Sequence, residues 1–121
     1  MRYVCLIYFD PRKVFDGSAE SNAVLAALAA HDQALKANGQ LVFAQPLALP
    51  NAAMTVQVRD GKMSATDGPF METKEMLGGL VVIEASDLNA AAQIAAGIPF
   101  ATLGSIEVRP VPDYTKPRPK L

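Results

Sequence analysis

A single α+β domain built on a split βαβ sheet is the architecture this sequence predicts, and three observations predict it. Strand and helix signals run β-α-β, then a hairpin, then β-α-β. The stretches from Arg2 to Phe9 and from Leu80 to Ile83 are apolar on both faces, as strands covered on two sides are. The 121 residues suffice for one buried core and not for two. Two βαβ units with right-handed crossovers put both helices on one side of the sheet. The apolar side left over predicts a homodimer closed face to face.

Each element follows from local chemistry. Arg2 to Phe9 is rich in Tyr, Val and Ile, and Asp10-Pro11-Arg12-Lys13 ends it because proline cannot continue a ladder. After a loop to Ser18, residues 19–38 take up a helical period, with Val24, Leu25, Leu28 and Leu35 on one side. Gly39 follows Asn38 as a left-handed cap. Leu41 to Ala44 is a short strand. Met54 to Arg59 and Lys62 to Asp67 flank Asp60-Gly61, a two-residue hairpin signal. That turn pairs Val58 with Met63, Val56 with Ala65 and Met54 with Asp67, so the Asp67 carboxylate ends an otherwise apolar stripe. Gly79 to Ala85 is a strand, and Ser86 or Asp87 caps a helix that Gly97 and Pro99 stop. Ser105 to Arg109 is the last strand. The domain is expected over 1–111, with 112–121 a mobile Pro- and Lys-containing tail.

Half of the residues are apolar and the net charge is -1, a composition suited neither to disorder nor to binding driven by phosphate neutralisation. No nucleic-acid partner is expected; the basic residues cluster only at Lys116, Arg118 and Lys120. One histidine and one cysteine are too few for a zinc site or an internal disulfide. Cys5, in an apolar strand, is expected to be buried and inert. The absence of a leader pattern and of a long apolar run leads to the expectation of a cytoplasmic protein without membrane contact.

Several segments in order carry a family resemblance. They are Tyr3-Val4-Cys5-Leu6-Ile7-Tyr8, Ala37-Asn38-Gly39, Val56 through Lys62, Asp67-Gly68-Pro69-Phe70-Met71-Glu72-Thr73-Lys74-Glu75, Leu77-Gly78-Gly79 and Gly104 through Pro110. In these the chain resembles the YCII-related family, in the branch named for its DGPF motif. The resemblance implies a ferredoxin-like fold and a dimeric α+β barrel. It also implies a choice of roles. Relatives in the wider fold group include isomerases, dehalogenases and cofactor-free oxygenases acting on small cyclic or aromatic compounds, so no cofactor is expected. Other relatives accompany sigma factors of the extracytoplasmic type, which implies a non-enzymatic dimeric accessory protein as the alternative.

Two residues stand out as candidate acid–base groups. Asp67 ends an apolar stripe, where burial would raise its pKa, although an Asp before Gly-Pro also holds turns. His31 is the only imidazole and borders the apolar side of its helix. A pocket between that helix and the sheet would let the two exchange protons with a ligand. The family's histidine falls nearer the helix start, at about Leu28 here, so His31 departs from the pattern. Glu72, Lys74 and Arg109 are candidate ligand contacts, the two cations as anion clamps. Gly68, Pro69, Phe70, Gly78 and Gly79 form the structural motif around them.

Overall fold

The computed structural model describes residues 1–119; Lys120, the last of the basic tail cluster, and Leu121 lie outside the described residues. The strands are β1 (Arg2–Phe9), β2 (Leu41–Pro46), β3 (Met54–Arg59), β4 (Lys62–Asp67), β5 (Met76–Glu84) and β6 (Gly104–Pro110). The helices are α1 (Pro11–Val14), α2 (Ala19–Ala37) and α3 (Leu88–Ala96). Four strands form one antiparallel sheet in the order β2-β5-β1-β6, and β3 and β4 form a separate ribbon. That order is the one two interleaved βαβ units produce, each central strand lying between the two strands of the other unit.

The closed α+β barrel implied by the resemblance is not the observed architecture. The sheet is an open row that ends at β2 and β6, and β3 and β4 pair only with each other. Four strands whose two faces carry different cargo have no reason to curl shut. One face holds the helices, and the other remains open.

The register explains which side chains go to which face. Tyr3, Cys5, Ile7 and Phe9 of β1 are buried against the helices, joined by Val81 and Ile83 of β5, Leu35 of α2, and Ala91 and Ala95 of α3. Each fully buried Ile, Leu, Val or Phe side chain among them contributes about 1.5–3 kcal/mol. Phe9 stacks on Phe100 with ring centroids 4.7 Å apart and meets Phe15 edge-on at 5.9 Å. Val24, Leu25 and Leu28 pack half-buried around this core. Cys5 is completely buried, and the lost solvation pushes its thiol up to about 11.

Local signals fix the ends. Asp10 caps α1 and Pro11 occupies its first position, a short helix within the expected loop. The Ser18 hydroxyl accepts from Ser21 N at the start of α2, and Asp87 accepts from Ala90 N at the start of α3. At the ribbon turn Asp60 and Gly61 both have positive φ, 53° and 73°, as the tight hairpin requires. The ribbon pairs as expected, Val58 with Met63, Val56 with Ala65 and Met54 with Asp67. β5 begins at Met76, three residues earlier than the sequence pattern indicates. Beyond Val111, whose N–H still bonds Arg2 O at 2.9 Å, the tail forms a turn around Asp113.

Candidate functional site

The site grows from an irregularity at the edge of the open face. Ile7 pairs with Gly79 but Tyr8 pairs with Leu77, so Gly78 is an extra residue in β5. The extra residue turns Leu77 onto the open face beside Tyr8 and leaves Met76 buried. Only glycine fits, because a Cβ there would lie 2.1 Å from Cε1 of the Phe9 ring. A Cβ on neighbouring Gly79 would lie 3.1 Å from the Gln45 carbonyl oxygen. Leu47 N donates to Gly78 O at 3.0 Å, so the strap 47–53 springs from this bulge.

A second strap comes from the Asp67-Gly68-Pro69-Phe70 run. Gly68 has φ 106°, a backbone only glycine adopts readily. Its N–H donates to Ala53 O at 2.8 Å, and its carbonyl accepts from the Thr55 hydroxyl at 2.9 Å. The chain then returns over the sheet to Met76. Between the two straps and the open face lies a cavity of about 930 Å³. Its floor is Tyr8, Leu77, Ser105 and Glu107; Leu47, Leu49, Phe70 and Met71 make its apolar walls.

The polar groups gather at one end. Ser105 Oγ donates to Glu75 Oε1 at 2.9 Å, and the Thr73 hydroxyl donates to the Glu75 carbonyl. Tyr8 is the cross-strand neighbour of Ser105. Glu107 is ion-paired with Arg109, which leaves Glu75 as the half-buried carboxylate facing the cavity with a single hydroxyl donor. Such an end accepts hydrogen bonds from a ligand hydroxyl or amine and can take up a proton.

A second pocket of about 450 Å³ shares Pro69, Met71, Thr73 and Met76 with the first. Asp10 lines it at 3% exposure, with Arg12 N and Nε donating to Oδ1 at 3.0 and 3.3 Å. The Arg12 side-chain hydrogen bond above all holds this carboxyl below the ordinary 3.8, against the opposing effect of burial; the charge of Lys74 adds to the lowering.

The expected site residues separate. Asp67 is exposed at the end of β4 and lines neither cavity, while the turn it precedes is closed by Gly68, Ala53 and Thr55. His31 is half-buried on α2 beside Gly97, where an added Cβ would lie 3.4 Å from its Nε2. The space between α2 and the sheet is packed core at this level, and the large cavity opens on the opposite face. Glu72 and Lys74 come together in the second pocket with Asp10 and Arg12. Arg109 lies on β6, bound to Glu107. Phe70 is 74% exposed at the cavity wall, not in the core.

Tyr8, Glu75, Ser105 and Asp10 were not among the expected site residues. Tyr8 and Ser105 stood out only by their position near the ends of strands, Glu75 only as the last residue of the Asp67–Glu75 motif run, and Asp10-Pro11 carried a helix-start signature. No group of three or more His, Cys, Asp or Glu placed to hold a metal occurs among the described residues. No helix there is long and apolar enough to cross a membrane.

Known proteins resemble the chain at two levels. In fold it is similar to the 5-chloro-2-hydroxyhydroquinone dehydrochlorinase (TftG) of Burkholderia phenoliruptrix AC1100, solved in complex with 2,5-dihydroxybenzoquinone. The TM-score is 0.54 at 17% identity, covering 93% of this chain and 94% of that one. In sequence it is 33% identical over 117 residues to the uncharacterized protein R00369 of Rhizobium meliloti (strain 1021), covering 94% of each. The model of the YCII-related domain matches residues 1–115. The chain therefore belongs to the YCII-related family.

Proposed function

We propose that this protein, a DGPF-type member of its family, binds a small, flat, hydroxylated ring compound in the cavity on the open sheet face. In this reading Glu75 is the acid–base group. The observation that carries it is the pairing of apolar walls with one convergent polar end, where Ser105 orients Glu75 at 2.9 Å beside Tyr8. Apolar side chains take the ring, and Glu75 accepts the ligand's hydroxyl hydrogen bond or its proton. The likeness to a fold relative solved with 2,5-dihydroxybenzoquinone supports the choice of ligand class. The working unit is a cytoplasmic homodimer that covers the half-exposed Val4, Leu6 and Leu80 of the open face. The acid–base duty assigned from sequence to Asp67 and His31 passes to Glu75, because Glu75 faces the cavity.

A second reading, an accessory role through protein association, has the exposed apolar side of the β3–β4 ribbon in its favour. Titration with hydroquinone at pH 7, whose hydroxyls stay protonated and can donate to a carboxylate, monitored by isothermal calorimetry, separates the two. Saturable binding is expected for wild type. Glu75→Gln weakens it roughly 10- to 100-fold, the value of a charged hydrogen bond, and Asp67→Asn and His31→Ala leave it unchanged. No saturable binding to wild type, or equal binding to Glu75→Gln, sinks the enzyme-type reading.

A further inference from the structure

A short strap, Thr73-Lys74-Glu75, separates two pockets of different character. Its side chains divide between them: Glu75 lines the apolar cavity, Lys74 lines the second pocket, and Thr73 borders both. Pro69, Met71 and Met76 complete the shared wall. Adjacent Cα atoms lie about 3.8 Å apart, so a ligand bonded to Glu75 lies within one short arm of the Lys74 side chain. Met71 is exposed, and its flexible thioether can swing aside to admit such an arm.

The second pocket differs from the first in its charge. Its cations are Arg12 and Lys74, its carboxylates Asp10 and Glu72. Asp10 is already committed. It is 3% exposed, and Arg12 holds both of its oxygens, Nε donating to Oδ1 at 3.3 Å and Nη2 to Oδ2 at 3.4 Å. That fork uses one edge of the guanidinium and leaves the Nη1 edge for a ligand, on a side chain 80% exposed. Among the described residues Lys74 and Glu72 make no ion pair. A ligand therefore meets an ammonium and a guanidinium edge against one carboxylate, Glu72. The charge of Lys74 also reaches Asp10, which puts its ammonium toward the Arg12 side. Arg109, the other cation expected in an anion clamp, is instead bound to Glu107. We propose that the ring compound carries a short acidic arm and that the second pocket is the subsite for its carboxylate, with Lys74 as the anchoring cation and the outer edge of Arg12 beside it. The proposal rests on the cavity reading above and narrows its ligand class to hydroxylated aryl acids.

The test compares ligands that share a 2,5-dihydroxyphenyl ring: the acetic acid, ionised at pH 7, its nearly isosteric acetamide, and the ethylamine. In calorimetric titrations of the full chain the acid should bind roughly tenfold more tightly than the amide, the value of a charged hydrogen bond at a solvent-facing site. Lys74 is exposed, so Lys74→Met should fold, and the advantage of the acid should vanish there. In Lys74→Glu the amide should become the tighter ligand. Glu75→Gln should weaken acid and amide alike and leave their ratio unchanged. An acid no tighter than the amide, or an advantage that survives Lys74→Met, overturns the proposal; saturable hydroquinone binding in the same protein would keep the ring reading. Acid binding that needs Lys74 but ignores Glu75→Gln would do the reverse, removing Glu75 and leaving the anion subsite. Tighter binding of the ethylamine would make Glu72 the anchor and overturn the proposal. No binding of any of these ligands overturns both.

Discussion

Adding one methyl group at Gly78 should damage this protein more than any change at the glycines of its turns. In Gly78→Ala the new Cβ would lie 2.1 Å from Phe9 Cε1 and 2.5 Å from Cζ, far inside contact distance. Rotation of the ring is not a cheap escape. Phe9 is buried, stacked on Phe100 at 4.7 Å and met edge-on by Phe15. Either the aromatic cluster opens or the bulge shifts, and overpacking of a tight core costs about 1–3 kcal/mol. Taking 2–3 kcal/mol, and about 4 °C per kcal/mol for a domain of this size, the melting temperature should fall by about 8–12 °C. Circular dichroism melts and urea titrations of Gly78→Ala, Phe9→Leu and the double variant measure this. Phe9→Leu frees space at the ring, so the double variant should be less damaged than the sum, with a coupling of about 1–2 kcal/mol. A Gly78→Ala protein melting within 2 °C of wild type, or strict additivity, would refute the packing argument and with it the origin of the bulge.

Other consequences are simpler to measure. Asp10 has its folded pKa held below 3.8, first by the Arg12 side chain. Its ionised form thus stabilises the fold at neutral pH, and that stability is lost as pH falls below about 4 toward the depressed value. Asp10→Asn keeps a capping side chain and should be less stable at pH 7, with a shallower decline on acidification; an unchanged acid limb in urea midpoints against pH would contradict it. Cys5, with its thiol pushed up to about 11 by burial, should resist a thiol-specific disulfide reagent at pH 8 in the native state and react fully in urea. Rapid labelling of the folded protein would show that β1 is not the covered strand described here.

The parts of the fold that were legible in the sequence are those set by neighbouring residues. Asp60-Gly61 forces the ribbon turn, and the pairing of Met54 with Asp67 follows from counting. The site was less legible because it depends on long-range register. Tyr8, Ser105 and Leu77 meet through two strand pairings and one extra residue at Gly78, and no local pattern near Met76-Leu77-Gly78 announces which face Leu77 takes. Asp67 drew notice for its charge at the end of an apolar stripe, yet that stripe turned out to be exposed. The expected pocket beneath α2 is filled because Phe9, Ile98 and Phe100 occupy that face together, a volume constraint that periodicity does not express. Asp10 was visible only as a strand terminator, although Asp-Pro at a helix start is also a cap and first-turn pair.

Location of the ligand site is the central claim, and mapping it by amide chemical-shift changes on titration with hydroquinone at pH 7 tests that claim most directly. The changes should concentrate at Tyr8, in the straps 47–53 and 70–77, and at Ser105, and should weaken in Glu75→Gln. Changes centred on α2 around His31, or none at saturating ligand, would contradict it.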